Sequence, residues 1–271
     1  ERSAVLAGQA MRSLPVDHPA LPYAQVMTGW MQVLGGARDI GLTNLTQAAQ
    51  LARSRGLLGT EVEASGLLAT ALLSRGDYSG AESLVATALR TWSQGGISHF
   101  LAAGAVIAGP AALVAARTGQ AELARAQLAR VHEAVTMFGP ILPWLAVTHE
   151  CFAAAAHALL GDKEQAGRHL ASAVESAAAA PESTVLNDLL RAARTTVEGE
   201  SRLAALSPAE RRVFERLLTR ATLREIAEEL FVSPETVKTQ TSSIYRKMGA
   251  ASRRELQELG DRLRASPGSG P

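Results

Sequence analysis

The chain has 271 residues, 47% of them apolar but only 4% aromatic, and 27 Lys and Arg stand against 26 Asp and Glu. Ala and Leu supply most of the apolar share, which favours packed helices over sheets built from β-branched and aromatic residues, so an all-α protein is expected. A single cysteine, Cys151, excludes an internal disulfide and fits a reducing cytoplasm; no apolar run approaches the roughly 20 residues of a membrane span, and no signal-peptide layout opens the chain, so a cytoplasmic protein with no membrane partner is expected.

Residues 1–14 read as a helix that Pro15, Pro19 and Pro22 interrupt. The chain opens inside that pattern with neither an initiator Met nor a cap, which leads us to expect a piece of a longer protein. Beyond Pro22 the sequence repeats. Gly36, Gly76, Gly119 and Gly161 lie 40, 43 and 42 residues apart. Five residues after these anchors come Gly41, Ala81, Ala124 and Ala166; nine after, Leu45, Val85, Leu128 and Leu170; twelve after, Ala48, Ala88, Val131 and Ala173. Steps of four and then three trace one face of a helix, and repeats of this length suit helical hairpins stacked as an α-solenoid. Each anchor glycine follows an apolar helical run and fits a C-cap that needs positive φ. Small residues at the fifth position let helices approach closely, and the larger ones fill the seam. One more helix is predicted over about Ser183 to Val197, then a joint around Gly199 and Glu200. The resulting division is a repeat domain over 1–198, a linker over 199–205, a compact domain over 206–264 and a disordered tail over 265–271.

Residues 206–264 carry 12 Lys and Arg against 9 Asp and Glu, leaving 15 against 17 elsewhere, so the basic excess sits at the C-terminus. Four hydroxyls can cap helices here: Ser207 and Ser233, each followed by proline, then Thr222, and Ser252 with Glu255 at capping-box spacing. At about 100° per residue, Val237, Thr241, Ile244 and Met248 share one side of the third helix, while Glu235, Lys238, Thr239, Ser242 and Arg246 share the other. Val213, Leu217, Ile226, Ala227 and Leu230 supply apolar partners. A major groove about 12 Å wide admits one helix whose outward residues are short or flexible enough to reach base edges. Thr239 and Ser242 are short, and Lys238 can donate to guanine or to phosphate. Around them Ser233, Thr236, Tyr245, Arg246 and Lys247 are placed to meet phosphates, with the helix dipole at Ser233 assisting.

The pieces LSPAE, REIAEELFVSPETVKTQ, IYRKMG and SRREL together resemble the DNA-binding domain of LuxR-type (GerE/NarL-like) bacterial regulators over some 55 residues. The resemblance implies a four-helix domain with a helix-turn-helix whose third helix enters the major groove of double-stranded DNA, with Lys238, Thr239 and Ser242 at base edges. It also implies that the fourth helix, Arg253 to Arg264, pairs with its mate in a homodimer on inverted half-sites, which would place Leu256, Leu259 and Leu263 at the pairing surface. Two departures stand out: Thr219, Arg220 and Ala221 replace the usual Gly- or Asn-rich joint, and Gln240, at the phosphate-contacting edge, replaces the usual histidine. The preceding repeats resemble tetratricopeptide-like solenoids in architecture, with a longer period and few aromatic positions. A solenoid followed by this domain is similar to the C-terminal part of the large ATP-binding LuxR regulators, the MalT-like group. That resemblance implies a small-molecule inducer or protein partner at the solenoid, contact with RNA polymerase, and ATP in a preceding domain. No G-x-x-x-x-G-K-[ST] occurs in this chain, so no cofactor is expected in it.

The six histidines do not spell a metal site, although His149 and His157 could share a helix face. Trp30, Trp92 and Trp144 are expected to pack between hairpins, and Cys151 among alanines to be a small buried hydrophobe. No nucleophile has a base at hand, no carboxylates pair in a glycine-framed turn and no cofactor loop is present, so an enzyme is not expected. The sequence therefore points to a DNA-binding transcriptional regulator controlled by a helical-repeat sensor. The alternative is a helical scaffold that binds protein on its concave face and merely dimerises through the C-terminal domain.

Overall fold

The computed structural model describes residues 8–9, 13–95 and 101–264. Among them are thirteen helices and no strand: α1 Leu21–Leu34, α2 Arg38–Ser54, α3 Leu58–Leu73, α4 Tyr78–Gln94, α5 Leu101–Arg117, α6 Ala121–Phe138, α7 Pro143–Leu159, α8 Lys163–Ala177, α9 Thr184–Ala204, α10 Pro208–Leu217, α11 Leu223–Glu229, α12 Pro234–Met248 and α13 Arg253–Arg264. The helix predicted over residues 1–14 and the tail over 265–271 fall mostly or wholly outside the described residues. Pro22 opens α1 in its first turn and does not interrupt a helix, because the N–H that proline lacks has no partner there anyway.

The anchor glycines sit where the spacing predicts. Gly36, Gly76, Gly119 and Gly161 have φ of +91°, +76°, +73° and +82°. At the last three, crossed hydrogen bonds close the helix: Asp77 N–H to Leu72 and Gly76 N–H to Leu73, and likewise Gln120 to Ala115 and Asp162 to His157. Asp77 and Asp162 then cap the next helices, accepting from Gly80 and Gln165 N–H. Gly56 (φ +67°) makes the same kind of turn between α2 and α3, outside the 40- to 43-residue spacing of the anchors.

The helices pair as α1/α2, α3/α4, α5/α6 and α7/α8, and the predicted seam residues are buried at every anchor offset except Leu170, which is half-buried. The even-numbered helices bury one face. Of the odd ones, α3, rich in Leu and Ala, and α7, rich in Ala, are enclosed nearly all round, and most of their polar residues lie inside with them. Gly29 and Gly41 let α1 and α2 cross in backbone contact, since a Cβ at Gly41 would lie 2.5 Å from the Gly29 carbonyl oxygen.

The stack does not stay open. Trp30 of α1 meets Trp144 of α7 edge to face, ring centroids 5.2 Å apart. Helix α9 packs on α7 and α8 and also reaches α1, with Ser183 Oγ donating to the Leu34 carbonyl and Arg38 paired to Asp188 at 2.9 Å. One core runs through all five odd helices, with Trp30, Leu67, Ile107, Phe152 and Leu186 among its members. Cys151 is buried in it, and burial pushes its thiol up to about 12.

Helix α9 differs most from the sequence reading. Residues 199–204, expected as a joint, continue the helix without a break, and Gly199 is buried within it. The N-terminal half of α9 buries Val185, Leu186 and Leu189 in the repeat core, while Leu203 near its end packs on a second core formed by α10–α13.

Candidate nucleic-acid interface

The second core gathers Val213, Phe214 and Leu217 from α10, Ile226 and Ala227 from α11, and Val237, Ile244 and Met248 from α12. Its helices begin as the hydroxyl spacing predicts. Ser207 accepts from Glu210 N–H while the Glu210 carboxylate accepts from Ser207 N–H, and Thr222 and Glu225 repeat the arrangement. Backbone and hydroxyl donors of Thr222 hold the Glu225 carboxyl below its ordinary range. Ser233 accepts from Thr236 N–H at the start of α12, and Gly249, at φ +68°, ends it in the left-handed region. At α13 the reach-back is shifted by one residue: Ser252 caps Glu255 N–H, but Glu255 accepts from Ala251.

Helix α12 presents the two faces predicted for it. Val237, Thr241, Ile244 and Met248 are buried, with the Thr241 hydroxyl returned to the Val237 carbonyl. Lys238, Thr239, Ser242 and Arg246 are exposed on the opposite side. Lys238 lies 3.8 Å from Glu235, an exposed pair that holds little energy and leaves the ammonium available. Ser242 Oγ donates back to the Lys238 carbonyl at 3.1 Å. Ser233 and Thr236 are exposed, with their hydroxyls 2.8 Å apart, whereas Gln240 and Tyr245 are half-buried and Tyr245 packs on the core.

Lys247 is placed differently. Its Nζ lies 2.6 Å from Glu210, and the same carboxylate accepts from Ser243 Oγ at 2.7 Å. The Lys247 bond, the Ser207 backbone and Ser243 together hold the Glu210 carboxyl down at about 2. A phosphate contact from Lys247 therefore requires leaving a partly buried pair. The S-x-x-E spacing from Ser207 is a sequence signal for the capping role of Glu210, not singled out above; its cross-link to α12 has no such signal.

Two of the three leucines implied for pairing through α13 turn toward the domain itself. Leu256 is fully buried in the domain's own core and Leu259 packs against that core; the Leu263 side chain lies outside the described residues. Gly260 is buried as well, and a Cβ there would lie 2.4 Å from the Leu218 side chain. Arg253 donates to the Leu217, Thr219 and Ala221 carbonyls, and Gln257 to the first two, clamping α13 onto the joint between α10 and α11. Thr219 to Ala221, the departure from the family spelling, is thereby held by side chains instead of by a flexible glycine. What α13 turns outward is charged: Arg254, Glu258 and Asp261. Sequence spacing alone does not show which side of so short a helix the domain takes up.

Phe231, between α11 and α12, is 95% exposed with φ +55°. Between the two domains a cleft of about 280 Å³ is lined by Lys163 and Ala166 of α8, Val197, Glu200 and Ser201 of α9, and Arg211 of α10. His149 and His157 do not converge: the first bonds the Ala105 carbonyl at 2.6 Å, and the second stacks on His169 with centroids 5.2 Å apart. Among the described residues no group of three His, Cys, Asp or Glu is placed to hold a metal, and no helix is long and apolar enough to cross a membrane.

Residues 204–259, about a fifth of the chain, match the GerE family, described as bacterial regulatory proteins of the luxR family. No curated protein and no solved structure matches the chain. The capped tri-helical core, the two-faced α12 and this match agree: the C-terminal domain is a luxR-type helix-turn-helix domain.

Proposed function

We propose that the chain is a sequence-specific transcriptional regulator that lays α12 in the DNA major groove. The observation that carries this reading is the division of α12, whose apolar residues are all consumed by the domain core while Lys238, Thr239 and Ser242 are left in solvent on one outward strip. Such a strip is small-sided enough to approach base edges, and Lys238 offers the strip's donor of longest reach. Ser233, Thr236, Gln240, Tyr245 and Arg246 flank it as phosphate contacts, joined by Lys247 when it leaves Glu210. In this reading two copies occupy inverted half-sites about one helical turn apart, and pairing through α13 falls to its charged outward face. The repeat domain receives a small-molecule inducer or a protein, as in the MalT-like ATP-binding regulators, and contact with RNA polymerase follows in the cytoplasm. The scaffold alternative has less support, because the odd helices of the repeat domain bury one another against a common core.

The test is selection of duplexes from a random pool by the full chain, followed by titration against salt. Lys238→Ala and Thr239→Ala are expected to lose about 1–3 kcal/mol of discrimination for the selected sequence. Arg246→Ala is expected to weaken all sequences alike and to reduce the salt slope by about 1. Full retention of specificity in both base-contact variants would overturn the assignment.

A further inference from the structure

Arg202 lies two residues before the segment that matches the luxR family, on the last turn of α9. Its Nη1 donates to the carbonyl of Met248, the final residue of α12, at 3.2 Å. The last carbonyls of a helix have no partner within it and form the negative end of its dipole, so a guanidinium there supplies both a donor and the favourable charge. Gly249, which follows, is a glycine because of its φ of +68°, and the guanidinium packs beside it, 3.7 Å from where a Cβ would stand. Arg211 of α10 donates to the Leu203 carbonyl at 3.4 Å, a second tie between α9 and the domain, while Glu198, one turn back on α9, lies 3.9 Å from Arg202 Nη2 in an exposed pair that adds little.

We propose that Arg202 is a positioning residue for DNA reading, carried on the repeat domain's last helix and fixing the C-terminal end of the recognition helix. The proposal rests on the DNA-binding reading above. The other end of α12 is set by the Ser233 cap and its middle by Glu210 through Ser243 and Lys247. Its last turn is bonded to α9. Lys238 lies ten residues, about 15 Å, from Met248, so a tilt of about 5° pivoting at the Arg202 end sweeps it by about 1.3 Å. A productive constellation tolerates about 0.5 Å. The seat of Lys238, Thr239 and Ser242 is thus set in part by a residue outside the reading strip, which joins α9 to the end of α12 beside the Leu203 packing and the Arg211 bond.

The test uses the full chain, Arg202→Ala and Arg202→Lys, and a duplex enriched from a random pool by the unmodified chain. Arg202→Ala is expected to weaken that duplex about 10-fold while leaving the affinity for a scrambled duplex and the salt slope unchanged. Hydrogen exchange at the Gly249 and Ala250 amides, both bonded to the Tyr245 carbonyl, is expected to quicken about 5- to 10-fold. Arg202→Lys, which keeps the charge, is expected to stay within about 3-fold of the unmodified chain on both readouts. It carries the comparison should the alanine variant unfold the domain. Unchanged exchange and affinity in Arg202→Ala would overturn the proposal. Equal weakening on all duplexes with a shallower salt slope would do so too, by making Arg202 a phosphate contact. If the chain enriches no duplex, the DNA reading fails on its own, and the exchange rates still decide whether Arg202 holds α12.

Discussion

Glu210 is the residue on which the reading helix leans most. Its carboxylate takes Lys247, Ser243 and the Ser207 N–H, joining the start of α10 to the far half of α12. With the folded carboxyl down at about 2 from an ordinary 4.5, its contribution is in place above 4.5 and is lost as the pH falls toward 2. Glu210→Gln is expected to cost about 1–3 kcal/mol in thermal unfolding at neutral pH, because Lys247 is left without its charge partner, and to flatten the acid limb between those values. Two buried groups in the repeat domain move stability in opposite directions with pH. Burial takes His149 from 6.5 down to about 4, so stability falls as the pH drops from 6.5 to 4, where the unfolded chain binds the extra proton. Burial takes Glu63 from 4.5 up to about 7, so here the folded chain holds the extra proton and stability falls as the pH rises from 4.5 to 7. Over the shared window the two slopes oppose. Glu63→Gln is therefore expected to unmask a melting temperature that rises with pH, and His149→Gln one that falls. Neither group was legible in the sequence, since nothing in the spelling of α3 or α7 distinguishes a buried Glu63 or His149 from an exposed one.

At the scale of elements, the hairpins were legible because glycine is demanded by the backbone itself. Positive φ at Gly76 and Gly119 leaves few other residues, so the repeat shows through even where side chains vary. Glycines inside helices carry a second message that only packing decodes. Gly41→Ala would drive a Cβ into the Gly29 carbonyl and is expected to destabilise by about 1–3 kcal/mol. Gly167→Ala in α8, with nothing within 4 Å, is expected to stabilise by about 0.5–1 kcal/mol, by removing the entropy that glycine loses in a helix. Calorimetry on the two variants checks both signs. The faces of α12 were legible because four buried positions define a stripe over 15 residues. Those of α13 were not, because its inward side mixes Arg253, Leu256, Gln257 and Gly260, and a clamp of polar side chains on carbonyls has no hydrophobic period. Leu256→Ala is accordingly expected to cost about 2–5 kcal/mol of domain stability and to leave the association state, measured by analytical ultracentrifugation, unchanged.

At the scale of the whole molecule, local pattern stops being informative. Periodicity announced a stack of hairpins, but the meeting of Trp30 with Trp144 and the return of α9 to α1 depend on the sum of small rotations between hairpins, which no short window encodes. The continuity of α9 was hidden for a related reason: Gly199 and the polar residues around it read as a hinge, while the repeat core at one end of the helix and the second core at the other hold it in one piece. That continuity makes the helix a drive shaft with an angular phase. Each residue added between Gly199 and Arg202 would turn everything beyond by about 100° and advance it by about 1.5 Å. A series of alanine insertions at that point is therefore expected to give DNA binding that oscillates with insert length and recovers best near whole turns, at about 4 and again about 7 residues. A hinge would give a smooth decline. The phase of that oscillation would measure, in degrees, how the repeat domain aims its reading helix.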